Sequence, residues 1–176
     1  RRQRQMCIRD RLKGKPVLFY SISCFEKSSE IDDIIIVTGA ESVEYVKREI
    51  VEPFGFQKVK AVVTGGKERY DSVYEGLKAC QNCDYVFIHD GARPFVTEEM
   101  IERGKKAVIA GGACVLGVPS KDTVKITDEE GFVESTPKRA RVWNIQTPQI
   151  FSYPEIYSAY QKAKQEGMQG ITDDAM

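Results

Sequence analysis

The chain alternates between two hydrophobic periods, and this alternation restricts its fold more than any other feature of the sequence. Short apolar runs, typical of strands buried on both faces, occupy residues 34–37, 61–64, 85–89 and 113–118. Amphipathic segments with helical spacing occupy residues 17–25, 41–52, 69–79, 98–110 and 154–166. Strands that alternate with helices predict an α/β domain, with a mostly parallel, doubly wound sheet and helices on both faces.

One segment, residues 121–138, interrupts this alternation. It reads TVKIT, then a DEEG turn, then FVEST, which is the pattern of an exposed β-hairpin. We therefore expect a β-arm over about residues 121–138 that leaves the main sheet. Residues 143–151 are expected to return to the body of the domain.

The first eleven residues differ from the rest in charge. They hold five arginines and one aspartate, so the remaining chain carries 21 basic and 25 acidic groups. We weighed a nucleic-acid arm, a transit-peptide remnant and foreign sequence as explanations, and we favour a non-native leader over residues 1–11. Residues 12–176 are then one domain, whose mild acidity argues against nucleic-acid binding. No run of 18 apolar residues predicts a membrane span.

The five cysteines are few, odd in number and scattered along a chain that is large enough to fold without disulfides. This pattern favours a reducing compartment, and we predict a cytoplasmic location. Cys80 and Cys83 form the only C-x-x-C pair, with no second pair to complete a zinc site. We interpret them as two cysteines at the end of a helix.

Polar residues follow the strands, where ligands bind in open parallel sheets. Gly65 and Gly66 come directly after one strand and open a helix, so a ligand could contact backbone there. Asp90 and Arg93 follow the next strand three residues apart, which suits a phosphorylated, magnesium-bearing substrate or, alternatively, a structural salt bridge. No nucleophile triad is evident, and the only histidine, His89, is interpreted as a core residue. The set favours nucleotidyl or phosphoryl transfer.

Six stretches resemble one family, the 2-C-methyl-D-erythritol 4-phosphate cytidylyltransferases of the non-mevalonate isoprenoid pathway. In family order they read GKPVL, GGKERYDSV, HDGARPF, KDTVK, TPKRARVWNIQTPQIF and ITDDA. The resemblance implies a Rossmann-like nucleotidyltransferase fold and a homodimer that exchanges the β-arm. It also implies attack of the substrate phosphate on the α-phosphorus of CTP, with Mg²⁺ and release of pyrophosphate.

The resemblance also implies site residues. Those around the nucleotide would be Gly65, Gly66, Lys67, Ser72, Asp90 and Gly91. Those at the polyol phosphate would be Arg93, Thr123, Asp90 and Arg139, with Thr147 and Thr172 as weaker candidates. Asp90 and Arg139 would be the catalytic residues, and Asp90 is the one candidate contact for a metal.

The sequence departs from the family pattern at both ends. We expect that the family's N-terminal strand and glycine-rich, arginine-containing loop are missing, and that a C-terminal lysine is missing too. This predicts weak CTP binding and slow turnover for the chain as it stands. Two alternatives remain open at this point: a ribitol 5-phosphate cytidylyltransferase and a non-catalytic nucleotide-binding fragment.

Overall fold

The computed structural model describes residues 10–80, 82–167 and 173–175. The strands are β1 Arg11–Leu12, β2 Lys15–Pro16, β3 Ile34–Thr38, β4 Val59–Thr64, β5 Tyr85–Ile88, β6 Ala113–Pro119, β7 Ile126–Thr127, β8 Val133–Ser135 and β9 Trp143–Ser152. The α-helices are α1 Val17–Lys27, α2 Val43–Val46, α3 Glu52–Phe54, α4 Arg69–Ala79, α5 Glu98–Gly111 and α6 Tyr153–Gln165. Helices thus follow strands along the chain, as the hydrophobic pattern predicts.

Two sheets form the centre of the described part of the domain. In one, β3 and β4 run parallel, with Ile36 opposite Val62. In the other, β9 lies between β5 and β6 and is antiparallel to both. The α/β class is therefore as predicted, and β9 adds one antiparallel strand to it. Since β5 and β6 both run antiparallel to β9, their carboxyl ends lie at the same edge.

The second helical segment ends later than the sequence pattern indicates. A 3₁₀ turn Ala40–Ser42, α2, a π turn Lys47–Val51 and α3 form a continuous helical stretch from residue 40 to residue 54. Pro53 was expected to stop this helix, but the helical stretch continues one residue beyond it, to Phe54. The π turn directly before α3 already departs from the regular hydrogen-bond pattern that a proline would interrupt. Gly55 ends the segment with φ of +64°, a left-handed conformation that glycine adopts without strain.

Three apolar clusters hold the helices on the sheets. Leu18 and Ile22 of α1 pack with Ile36 of β3, with Val46 and Ile50 completing the cluster. A second cluster joins α4, β5, β9 and α6, and a third joins α1 to α5. The clusters fix the positions of β4, β5 and β9, from which the loops of the candidate site extend.

The predicted β-arm is present in a shorter form. Strands β7 and β8 are antiparallel, with Ile126 opposite Ser135, and the turn between them closes on Asp128. All residues of both strands are exposed. The hairpin therefore protrudes from the body, as its sequence predicts, and it leaves apolar side chains in solvent.

Candidate active site

The loop between β4 and α4 requires its two glycines. A Cβ added to Gly65 would lie 2.5 Å from Ser72 Oγ and 3.1 Å from Val37 Cγ1. A Cβ added to Gly66 would overlap Cβ of Asp71. The backbone at Gly65 and Gly66 thus lies directly against the first turn of α4, at a distance that leaves no room for a side chain at either position. The prediction that a ligand contacts this backbone stays a prediction.

The first turn of α4 is held by side chains. Glu68 and Asp71 form a capping box, in which the Glu68 amide donates to Asp71 Oδ2 at 3.0 Å. Lys164 of α6 binds Asp71 Oδ1, and this bond, together with the Glu68 amide, lowers the pKa of Asp71. The Ser72 hydroxyl donates to the Glu68 carbonyl at 3.1 Å. Of the residues predicted here, Lys67 is exposed and Ser72 is buried beside Gly65.

The second loop follows β5 and carries Asp90, Gly91 and Arg93. Arg93 Nε donates to Asp90 Oδ2 at 3.3 Å, and its Nη1 binds Gln146 Oε1 of β9. A Cβ on Gly91 would lie 2.7 Å from Leu18 Cδ1, so this loop also packs closely on α1. The salt bridge considered from sequence is therefore formed, between side chains that each keep about 40% exposure. Both groups stay accessible to a phosphorylated ligand.

His89 organises this second loop through hydrogen bonds on both ring nitrogens. Its Nε2 lies 3.0 Å from the Arg93 carbonyl, which only accepts, so Nε2 carries the proton and Nδ1 accepts from Thr147 Oγ1 at 3.1 Å. Thr147 Oγ1 in turn accepts from the Asp90 amide at 3.1 Å. Burial lowers the pKa of His89. The histidine thus fixes the loop in its neutral form.

A pH dependence of stability follows from His89. Because its pKa is lower in the folded chain than in the unfolded chain, the unfolded state binds more protons as the pH falls below about 6.5. We expect the free energy of unfolding to fall between pH 7 and pH 5, and to fall less in His89→Gln, which keeps a donor for the Arg93 carbonyl. Urea titrations of both proteins at each pH measure this. If the free energy of unfolding changes equally with pH in both proteins, His89 is not the group responsible.

Arg69, at the start of α4, connects the two loops. Its Nε donates to Asp90 Oδ1 at 3.3 Å. The loop of residues 65–68, here called the glycine loop, and the loop of residues 89–93, the Asp90 loop, therefore lie side by side at one edge of the sheets. Sequence reasoning did not select this residue. The signal was available, since Arg69 lies inside the stretch GGKERYDSV, but nothing local indicated its partners.

The structure does not bring all of the remaining predicted residues to these two loops. Thr123 follows β6 and Arg139 begins the 3₁₀ turn Arg139–Arg141, and both are exposed. Within residues 10–80, 82–167 and 173–175, neither side chain bonds to Asp90 or Arg93. Thr147 does meet the site, but its hydroxyl is occupied by His89 and the Asp90 amide. Thr172 lies outside the described residues.

Comparison with known proteins identifies the family of the chain. The family model of 2-C-methyl-D-erythritol 4-phosphate cytidylyltransferase matches residues 7–176 of the chain. The chain belongs to this family. The cytidylyltransferase from Lachnoclostridium phytofermentans is 48% identical over 165 residues, covering 94% of this chain and 70% of the relative. The one from Clostridium kluyveri is 47% identical over 163 residues, covering 93% and 70%.

Solved structures agree with the fold. The 4-diphosphocytidyl-2C-methyl-D-erythritol synthase of Anaerococcus prevotii has a TM-score of 0.84 at 35% identity, covering 94% of this chain and 71% of that one. The 2-C-methyl-D-erythritol 4-phosphate cytidylyltransferase of Thermus thermophilus has a TM-score of 0.73 at 25% identity, covering 94% and 74%. The predicted nucleotidyltransferase fold is confirmed. The chain is a cytidylyltransferase of isoprenoid precursor synthesis, and the family match favours this function over the ribitol 5-phosphate and non-catalytic alternatives.

Proposed function

We propose that the chain transfers the cytidylyl group of CTP to 2-C-methyl-D-erythritol 4-phosphate and releases pyrophosphate. The glycine loop holds the nucleotide: Gly65, Gly66 and Lys67 contact the cytosine and ribose through backbone groups, and Ser72 completes the pocket. The observation that carries this proposal is the bond between Arg69 and Asp90, because it brings the loop of Gly65 and Gly66 next to the loop of Asp90 and Arg93. A base and its phosphates then span the two loops.

The reaction takes place beside Asp90 and Gly91. An oxygen of the substrate's 4-phosphate forms a bond to the α-phosphorus of CTP, and the bond from that phosphorus to the oxygen bridging to the β-phosphorus breaks. The electron pair leaves with pyrophosphate. Arg93 and Thr123 bind the polyol phosphate and Arg139 positions it for attack. Thr147 acts on the substrate only indirectly, by holding the Asp90 amide. Thr172 remains a proposed substrate contact by resemblance.

The residues of this site fit a Mg²⁺ ion that binds together with the nucleotide. Among the described residues no group of three histidine, cysteine, aspartate or glutamate side chains could hold a metal ion. Asp90 is the carboxylate that we place beside the phosphates, and one carboxylate plus phosphate oxygens is a ligand set that Mg²⁺ commonly takes in such enzymes. When bound, Mg²⁺ neutralises charge on the triphosphate. Arg93 and Arg139 add fixed positive charge.

The enzyme is also proposed to be a homodimer joined through the β-arm. Phe132, Val133 and Ile126 on the hairpin are 69%, 57% and 49% exposed. Large apolar side chains grouped on a protruding hairpin favour burial against another protein surface. Arg139 follows the same arm, so dimerisation would carry it together with the hairpin towards a second subunit.

The dimer proposal predicts a change in mass. We expect Phe132→Ser with Val133→Ser to yield a monomer, because the pair removes the most exposed apolar area of the arm. Ile109→Ser is the matched control, since Ile109 is 58% exposed but lies on α5. Light scattering after size exclusion measures the masses. A monomeric wild type, or a dimeric double variant, contradicts the proposal.

We further propose a cytoplasmic location. The four cysteines of the described residues, Cys24, Cys80, Cys83 and Cys114, are free thiols, which supports a reducing compartment. Burial raises the pKa of Cys80 to about 11, so this thiol is a poor nucleophile. In the described part of the chain, none of the helices combines the length and the apolar character that crossing a membrane requires.

Single-turnover transfer tests the proposed reaction. CTP labelled at the α-phosphorus is mixed with excess enzyme, Mg²⁺ and 2-C-methyl-D-erythritol 4-phosphate, since turnover is expected to be slow. Label should move to the diphosphocytidyl product, and label from ATP in the same position should not. Absence of labelled product at long times would refute the proposed function for this chain.

A further inference from the structure

A second ion pair lies behind Asp90 and extends the site towards the C-terminal residues. Arg69 Nη1 donates to Asp174 Oδ1 at 2.8 Å, and its Nη2 lies 2.7 Å from Asp174 Oδ2. The Asp174 side chain is completely buried, while that of Arg69 is one-third exposed. One guanidinium therefore contacts two carboxylates, Asp174 in the interior and Asp90 at the surface.

The interior carboxylate is compensated on several sides. The Tyr160 hydroxyl donates to Asp174 Oδ1 at 2.5 Å, and burial together with this carboxylate raises the pKa of Tyr160. The Asp174 amide donates to Gln149 Oε1 at 3.1 Å, and Gln149 Nε2 donates to Asp173 Oδ2 at 2.5 Å. A buried charge costs much free energy unless it is paired and hydrogen-bonded. These bonds therefore hold residues 173–175 in one position relative to β9.

The surface carboxylate is restricted by the same guanidinium. Asp90 Oδ1 accepts from Arg69 and Oδ2 accepts from Arg93, so each oxygen has one arginine donor. Arg69 therefore fixes the orientation of the same carboxylate to which Arg93 bonds. The planar guanidinium has donors on separate nitrogens, and it can thus hold both carboxylates at once.

We propose that Arg69 is a positioning residue for the cytidylyl transfer, acting through Asp90 on one side and Asp174 on the other. It keeps the Asp90 carboxylate beside the reacting phosphates, and it locks residues 173–175, which directly follow Thr172, to the same edge of the domain. The expected effect of Arg69 on the reaction rate rests on the proposed function. The bonds of Arg69 to Asp90 and Asp174 do not depend on that function.

The substitution Arg69→Lys separates the positive charge of the residue from its ability to bond to two carboxylates at once. Lysine keeps the positive charge, but a single ammonium cannot reach both carboxylates with separate nitrogens. We expect kcat to fall by up to about 100-fold through misplacement of Asp90, with the KM for CTP changed little. The matched control is Arg103→Lys, the same substitution in the exposed pair of Arg103 with Glu99 on α5. It should leave kcat unchanged.

A double-mutant cycle with Asp90→Asn tests whether Arg69 acts through Asp90. If it does, Arg69→Lys lowers kcat strongly in the wild type and by less than about threefold in the Asp90→Asn background, because the two residues act as a unit. A purely structural role lowers kcat by the same factor in both backgrounds and in step with the loss of Tm. That outcome would overturn the proposal.

Hydrogen exchange provides a readout that does not need turnover. The Arg93 amide donates to the Asp90 carbonyl at 2.9 Å, and the Asp174 amide donates to Gln149. We expect Arg69→Lys to accelerate exchange of both amides by about tenfold or more, as loss of a hydrogen bond to a charged group implies. Arg103→Lys should accelerate neither. If the wild type does not react with CTP, the proposed function fails, whereas unchanged exchange in Arg69→Lys refutes the linkage.

Discussion

Arg139→Ala is expected to lower kcat/KM for 2-C-methyl-D-erythritol 4-phosphate by about 10²–10³-fold, the usual cost of removing one donor that stabilises charge in the transition state. Arg139 is exposed and its side chain makes no bond within the described residues. Its removal should therefore leave the free energy of unfolding almost unchanged. A large loss of rate without a loss of stability is the result that a substrate contact predicts.

Arg141→Ala is the control for this variant. Arg141 ends the same 3₁₀ turn and is also exposed, so it carries the same charge in nearly the same place. Initial rates with varied polyol phosphate, at saturating CTP, separate kcat from KM. If Arg141→Ala loses as much activity as Arg139→Ala, the effect comes from the general charge of the turn, and the specific role of Arg139 is wrong.

Gly66→Ala is expected to weaken CTP binding by about 100-fold, comparable to the cost of displacing a binding group by about 1 Å. The added Cβ would overlap Cβ of Asp71, and it would lie 3.3 Å from the Asp71 backbone carbon. Either the loop or the first turn of α4 must then move, which breaks the capping box of Glu68 and Asp71. We expect a loss of stability of about 1–3 kcal/mol as well.

Gly111→Ala is the control for this substitution, because it is expected to cause no loss of stability. A Cβ at Gly111, in the last turn of α5, has no atom within 4 Å. The free energy of unfolding should be unchanged or higher by up to about 1 kcal/mol, because alanine favours the helix. Calorimetric titration with CTP and urea unfolding measure both variants. Wild-type CTP affinity in Gly66→Ala would contradict the placement of the nucleotide.

Most of the elements follow from local patterns. Residues 69–79 have an apolar face, an acidic first turn and a lysine in the last turn, and the observed helix α4 has the predicted bounds. Strand β3 is an unbroken apolar run, and only its last residue, Thr38, was missed. Pro53 was misjudged by a single turn position, because the helical stretch ends at Phe54, one residue after the proline and directly before Gly55.

Local sequence patterns could not predict the strand β9 or the ion pairs of Arg69. The first half of β9 is exposed and the second half is buried, so neither the alternating nor the continuous apolar pattern covers it. Arg69 and Asp174 are 105 residues apart in the sequence, and only the folding of α6 onto α4 brings them together. The family motifs pointed to Asp90 and Arg93, whereas the guanidinium that orients Asp90 became evident only from the fold.

The most direct test of the central claim compares two polyol phosphates. Pyrophosphate release from CTP is measured with 2-C-methyl-D-erythritol 4-phosphate and, separately, with ribitol 5-phosphate, at the same enzyme and Mg²⁺ concentrations. The predicted result is a clear preference for the methylerythritol compound, together with pyrophosphate release that is much slower but still measurable in Asp90→Asn. A preference for ribitol 5-phosphate, or release that does not depend on Asp90, would contradict the account of this site.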